Sequence, residues 1–287
     1  MNILFPTSVE AALEALQVNP TARVMAGGTD LLVKRRAGSE TPEIVVCLEK
    51  VADISCIEVQ EDRIRIGAAT TMSGLLDNTD IRERLPLLHR AAEVFASPLV
   101  RNMATIGGNI CTASPAADTL PPLHVLGAEV EIYSSSGKRC IPISDFVVAP
   151  GRTSLASGEL LGAVIVPVPQ GRTIGYFEKV GKRKALAIAV VSLAALLRVE
   201  RNVITEARLA WGSVGPTVVR CSDVESQLIG SAPTLETFRS VGESVRRAIH
   251  PICDVRASAE YRMEVAVNLL LRLAEQAADP TGIKVGF

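Results

Sequence analysis

The chain has 287 residues, 48 % of them apolar and 21 % charged, with 30 basic against 31 acidic side chains and a net charge of −1. That balance excludes a strongly basic nucleic-acid binder, gives no basis for a polybasic membrane anchor, and does not suit a disordered chain. The length calls for two domains. With only six Phe, three Tyr and one Trp, the core must be built from Ala, Val, Ile and Leu.

Residues 1–55 alternate helix and strand signals. Thr7-Ser8-Val9-Glu10 has capping-box spacing, and Val9, Ala12, Leu13 and Leu16 follow as an apolar stripe. Ala22–Ala26 reads as a short strand running into Gly27-Gly28, Leu31–Arg35 as a helical turn or two, and Glu43–Leu48 as a buried strand. Residues 57–59 and 63–66 form a hairpin around charges. Residues 71–96 are helical, divided at Pro86. A Gly- and Pro-rich stretch then predicts a folded loop system with short helices. Residues 128–133 and 138–142 form a hairpin around Ser-Ser-Ser-Gly.

A boundary falls near 167–173, where Pro-Val-Pro-Gln-Gly-Arg breaks the pattern. Beyond it, residues 173–180, 187–199 and 207–214 read as three strands, the last two joined across a charged break at 200–206. Residues 222–230, 234–249 and 257–278 read as helices, the last with a stripe of Tyr261, Val265, Leu269, Leu270 and Leu273. The most apolar run, Ala185–Leu197, has 13 residues, short of the roughly 20 that span a bilayer. It is expected to be buried strand and core, with no membrane span.

Cysteines stand at 47, 56, 111, 140, 221 and 253, with no Cys-x-x-Cys and no zinc or iron–sulfur spacing. The first residues show no basic n-region and no small-residue cleavage site. Buried or half-buried free thiols in a reducing cytoplasm are the expectation. His89, His124 and His250 are isolated, which fits surface or cap roles. Neither a P-loop nor a Gly-x-Gly-x-x-Gly is present, and no nucleophile motif occurs.

Two glycine pairs carry what chemistry is visible. One is Ala26-Gly27-Gly28-Thr29-Asp30, directly after a strand; the other is Thr105-Ile106-Gly107-Gly108-Asn109. Adjacent glycines permit positive φ and close backbone approach, and their amides can ring an anion such as a pyrophosphate. The alternative is two tight turns with no ligand. Asp118 can be an ordinary helix cap and Lys179 a solvated strand residue. No acid–base or metal machinery is visible, so in a redox protein the cofactor would carry the chemistry.

These motifs, with Ser114-Pro115-Ala116-Ala117-Asp118 and Phe177-Glu178-Lys179-Val180-Gly181-Lys182-Arg183, occur in the order and spacing of the FAD-binding subunits of molybdenum hydroxylases, which the whole chain resembles. The resemblance implies an α+β fold. A two-subdomain FAD-binding domain of vanillyl-alcohol-oxidase (PCMH) type would cover residues 1–170 (subdomains about 1–55 and 56–170). A C-terminal α+β domain, a three-stranded sheet plus helices, would cover 171–287. It implies that Val24, Met25, Ala26, Gly27, Gly28, Thr29, Asp30 and Leu31 wrap the FAD pyrophosphate. Thr105, Ile106, Gly107, Gly108 and Asn109 would close on it from the other subdomain. Phe95 would line the cofactor, and Asp118 would lie by the adenosine ribose or the nearby phosphate. Leu161, or its neighbour Leu160, would pack near the flavin ring, and Lys179 would contact the cofactor as a point cation.

The related 4-hydroxybenzoyl-CoA reductase flavin subunit carries an inserted four-cysteine segment for an extra cluster. Here only Cys111 and Cys140 lie in that region, so no cluster is expected, and Cys111 is taken as structural. The implied role is relay. A molybdenum-cofactor subunit oxidises substrate, 2Fe–2S clusters of a small subunit carry electrons, and this chain's FAD hands them to NAD or another acceptor. The alternatives are a free-standing FAD oxidoreductase of the same fold and a non-catalytic FAD-binding assembly protein.

Overall fold

The computed structural model describes residues 1–183 and 187–278, which divide into two compact units. The first unit comprises Met1–Leu85, Phe95–Ser114 and Gly127–Val168. It opens with a parallel sheet of β1 (Asn2–Leu4), β2 (Arg23–Met25) and β3 (Ile44–Cys47) in the order β1-β3-β2. The helix Val9–Val18 joins β1 to β2 and buries the stripe Val9, Ala12, Leu13 and Leu16. Its cap is Ser8, one residue later than the capping-box spacing at Thr7 suggests. Ser8 is extended, and its Oγ accepts from the Ala11 amide at 3.2 Å.

The second sheet is antiparallel. It uses β4 (Ile57–Val59), β5 (Arg63–Gly67), β6 (Glu129–Ser134), β7 (Gly137–Pro142) and, beyond a small ribbon of β8 (Val147–Ala149) with β9 (Arg152–Thr153), β10 (Leu160–Pro167). The order β4-β5-β10-β6-β7 puts β10 at the centre. Both expected hairpins form. The expected helical stretch breaks at Asn78 as well as at Pro86, because the Asn78 carboxamide accepts from the Ile81 amide at 2.9 Å and starts a new helix. Gly162 sits in a bulge between Leu161 and Ala163, where any Cβ would lie 2.5 Å from the Tyr133 ring. That ring brings its hydroxyl to Arg65 and Glu131, each at 2.6 Å.

The second unit comprises Pro86–Val94, Pro115–Leu126 and the chain from Pro169. Its sheet has four strands, not three: β11 (Thr173–Val180), β12 (Val191–Glu200), β13 (Val203–Gly212) and the two-residue β14 (Val219–Arg220), in sequential antiparallel order. The β12–β13 turn is tighter than the charged break suggested. Arg201 and Asn202 both take positive φ, 50° and 63°, so the strands run to Glu200 and resume at Val203. Residues 187–190 are irregular, and the start of the apolar run, Ala185 and Leu186, lies outside the described residues.

One face of this sheet is covered by the helices Ser222–Leu228, Leu235–Ser240, Gly242–Ala248 and Ala259–Ala278. The expected single helix 234–249 breaks at Val241. Leu269, Leu270 and Leu273 are buried as the stripe predicts, but Tyr261 is exposed. Trp211 is fully buried, and its indole N–H donates to the Ala266 carbonyl at 3.2 Å. On the other face lie the helices Pro86–Glu93 and Leu120–Leu126; Gly175 faces Leu87, and Gly212 faces Pro121. Among the described residues no helix is long and apolar enough to cross a membrane.

Gly162→Ala should force the Tyr133 ring off its shelf and open the Arg65–Tyr133–Glu131 network. A loss of about 1–3 kcal/mol is expected from overpacking at such a site, read as a lower denaturation midpoint with an unchanged slope.

Candidate functional site

The two glycine motifs are far apart in sequence and packed together within the first unit. Gly27 lies on the backbone of Met103 and Ala104 so closely that a Cβ there would overlap the Met103 carbonyl. Gly28 has φ 69°, the region that favours glycine. The Thr112 hydroxyl donates to Asp30 Oδ2 at 3.4 Å, a second tie between the loops. Lys34 also reaches that oxygen, at 2.8 Å, and Asp30 holds the ammonium pKa up.

The two loops differ in what their amides do. In the second, Ile106 N donates to Thr70 O at 3.0 Å and Gly107 N to Ala68 O at 2.9 Å. Gly108 N donates to Thr105 Oγ1 at 3.0 Å, and Asn109 N to Thr105 O at 3.0 Å. This is the capped start of the short helix Ile106–Cys111. The expectation that the Gly107 and Gly108 amides face an anion is corrected: both are occupied within the chain. In the first loop, the amides of Gly27, Gly28, Thr29, Asp30 and Leu31 have no partner among the described residues. Five consecutive free amides beside a positive-φ glycine are donors available to an oxyanion.

The remaining expected positions in the first unit are also placed. Val24 and Met25 end β2, Ala26 begins the loop, and Leu31 opens the helix Leu31–Arg36. Phe95 lies in a turn just before Ala96, whose φ is 37°, and its carbonyl accepts from Arg101 Nη1 at 2.9 Å. Leu160 and Leu161 are both buried. Leu160 joins the core of helix Val9–Val18, and strand alternation turns Leu161 to the opposite face. The next residue, Gly162, accepts from the Ala68 amide at 2.9 Å, and Ala68 in turn accepts from Gly107. Leu161 is thus one residue from a relay into the second loop. Sequence reading missed Ala68, Met103 and Thr112; the only signal for them was the glycines that need a close neighbour.

In the second unit, Lys179 and Asp118 meet. Nζ is 2.6 Å from Asp118 Oδ2, and it also donates to the Val94 carbonyl at 3.1 Å. Neither residue is in the expected ordinary role: Asp118 is 5 % exposed and caps nothing, and the Lys179 side chain is 7 % exposed. Asp118 Oδ1 is buried with no hydrogen-bond partner, a costly state for a carboxylate. Burial therefore pushes the Asp118 carboxyl up to about 6 against the pull of Lys179. His124 is also buried, and burial together with Arg220 pushes it down to about 4.

All six cysteines are free. Cys47 and Cys221 are buried as expected, whereas Cys140 and Cys253 are exposed. Burial pushes the Cys111 thiol up to about 12, so it stays protonated beside the second loop.

Residues 1–169 match the family model described as FAD binding domain in molybdopterin dehydrogenase, and residues 176–277 that of the CO dehydrogenase flavoprotein C-terminal domain. The chain is 33 % identical to the xanthine dehydrogenase FAD-binding subunit of Escherichia coli O157:H7, over 96 % of this chain and 94 % of that one. It is 30 % identical to the carbon monoxide dehydrogenase medium chain of Hydrogenophaga pseudoflava, over 95 % of each. A solved carbon monoxide dehydrogenase from that organism superposes with a TM-score of 0.93 at 28 % identity, over 97 % of each chain. Quinoline 2-oxidoreductase from Pseudomonas putida 86 gives 0.92 at 26 % identity, over 97 % of this chain and 96 % of that one.

The buried pair makes a pH prediction with a definite sign. Asp118 has a folded pKa above its ordinary 3.8, so the folded state binds the extra proton and gains stability as pH falls from about 6 towards 4. His124, lowered from 6.5, acts oppositely: the unfolded chain binds its proton first, and stability is lost over the same range. Asp118→Asn removes only the gain. Its midpoint in urea should fall more steeply than the parent's between pH 6 and 4; parallel profiles would contradict the raised carboxyl.

Proposed function

Because the chain belongs to the family of FAD-binding subunits of molybdenum hydroxylases, we propose that it works as the flavin relay of such an enzyme. Electrons would come from 2Fe–2S clusters of a partner subunit, fed by a molybdenum-cofactor subunit, and leave to NAD or another acceptor. The protein is an FAD-binding oxidoreductase component with an α+β fold. The observation that carries the relay reading is that similarity runs along nearly the whole chain to subunits of such enzymes. Among the described residues there is no cluster of three or more His, Cys, Asp or Glu side chains suited to a metal.

When bound, FAD supplies a carrier that exchanges electrons singly or in pairs. The chain's own part is binding and electrostatics. The free amides of Gly27 to Leu31 suit the pyrophosphate, with Val24, Met25 and Ala26 leading into them. Thr105, Ile106, Gly107, Gly108 and Asn109 stand beside that loop; their glycine amides are taken up within the chain, so Gly108 would meet the ligand through its bare Cα and not its amide. Phe95 and Leu161 supply apolar lining. Lys179 presents a buried cation, and Asp118 an unpartnered oxygen, suited to an anionic atom and a hydroxyl or N–H respectively. In this reading residues 1–170 carry the nucleotide-binding loops, and 171–287 form the second part of the subunit, in a cytoplasmic complex.

Gly108→Ala is a mild probe of that loop, because the one atom near its Cβ is the Thr105 hydroxyl, at a tight 3.0 Å that a small shift of the hydroxyl relieves. It is expected to melt close to the parent yet lose FAD on gel filtration; full FAD content would remove the second loop from the site. For the relay, the complex purified with its native partners should lose its oxidised-flavin absorption when the molybdenum subunit's substrate is added without acceptor. Reduced clusters beside a flavin that stays oxidised would sink the relay.

A further inference from the structure

At one end of the four-stranded sheet a single buried side chain holds two loops. Arg262 stands in the first turn of helix Ala259–Ala278 and is 3 % exposed. Its Nη1 donates to the carbonyls of Val190 at 2.6 Å and Ser213 at 3.1 Å. Nη2 donates to Asp254 Oδ1 at 2.7 Å. Asp254 is itself fixed by the amides of Arg256 at 2.8 Å and Ala257 at 3.2 Å, which with Arg262 hold its carboxyl well below the usual range.

Each of the two carbonyls leads to one half of the Lys179–Asp118 pair. Val190 donates its amide to the Val180 carbonyl at 2.7 Å, and Val180 directly follows Lys179. Ser213 donates its amide to the Pro115 carbonyl at 2.8 Å, three residues before Asp118. The Ser213 hydroxyl closes the square by donating to Ala189 O at 3.1 Å. Ser213 is buried with φ 64°, a conformation a non-glycine residue keeps only when its surroundings fix it. The register agrees: Lys179 pairs with Ser192 and Ser192 with Gly212, one residue before Ser213.

We infer that Arg262 is a positioning residue for the Lys179–Asp118 pair, its fork setting Val190, which bonds Val180 next to Lys179, and the segment before Asp118 in one common frame. A guanidinium suits this task because its planar donors reach two carbonyls and a carboxylate at once, which an ammonium cannot do in fixed geometry. The pair distance is then set from the C-terminal helix, although no atom of Arg262 bonds either partner. The consequence for the cofactor rests on the assignment of Lys179 to its site made above.

Two measurements on the full chain test this. First, carbon-13 carboxyl titration of Asp118 without FAD, assigned through Asp118→Asn, reads the pair directly. Arg262→Lys should loosen Lys179 and leave burial less opposed, moving the Asp118 titration upward by about one pH unit. An unmoved titration in a folded variant overturns the inference and leaves the cofactor assignment untouched. Second, FAD affinity is measured for Arg262→Lys alone and with Lys179→Met. Weakening of roughly tenfold is expected in the parent and none in the Lys179→Met background, since coupled residues are not additive. Equal weakening in both backgrounds makes Arg262 merely structural and overturns the inference. If Lys179→Met itself binds FAD normally, the cofactor assignment fails and the titration alone decides on positioning. Should Arg262→Lys not fold, Asp254→Asn, which frees the guanidinium from its anchor, must show the same upward shift.

Discussion

The contact on which the two glycine loops depend is the seating of Gly27 on the Met103 carbonyl. No side chain can stand there, so the first loop can lie flat against the residues that lead into the second. From that contact the rest follows in short steps. Ala104 precedes Thr105, whose hydroxyl caps the helix Ile106–Cys111. Gly107 is pressed on Ala68, where a Cβ would come within 2.6 Å, and Ala68 hangs from Gly162 in the central strand. The chain of small residues ties a surface loop to the middle of a five-stranded sheet, so the loop is held by a rigid support.

The two glycine pairs look equivalent on paper and have different physical duties. One pair leaves its amides unpaired and takes a positive φ; the other surrenders its amides to the chain and exists so that backbones can touch. Buried, unpaired amides are costly in a folded protein, and those of the first loop are tolerable because the loop is only partly buried. A ligand with anionic oxygens would satisfy them. The second unit shows the same logic in a carboxylate. Asp118 keeps one oxygen for Lys179 and leaves the other bare inside the protein, a state that folding energy alone does not favour.

Much of this was legible in the sequence. The stripe of helix Val9–Val18, both hairpins of the first unit and the three long strands of the second follow from periodicity and turn chemistry. The central strand β10 was not read, because seven of its eight residues, Leu160 to Val166, are apolar or glycine. A strand flanked by partners on both edges and buried on both faces shows no alternation. The fourth strand, Val219–Arg220, is two residues long and carries no pattern at all. The glycine loops stood out, but their division of labour did not, since it depends on which carbonyls arrive opposite them. The Lys179–Asp118 contact spans 61 positions, and each residue alone reads as an ordinary surface or cap residue. Without the family resemblance nothing would have singled them out.

The second unit is assembled from three stretches of chain, two of which are interleaved with the first unit. Its strands and C-terminal helices bury one sheet face among themselves, while the opposite face needs the helices Pro86–Glu93 and Leu120–Leu126. During synthesis those two helices leave the ribosome before any strand of their sheet exists. Leu87, Leu88, Leu120 and Leu123, all buried in the finished protein, must wait as exposed apolar surface until β11, β12 and β13 have been made. Such waiting surface is what chaperones bind and what aggregation recruits. The interleaving also fixes where the chain tolerates cutting: a fragment starting near residue 170 would carry a sheet with one bare face. The order of the segments along the chain therefore makes the two units partners in biogenesis, whatever each contributes once folded.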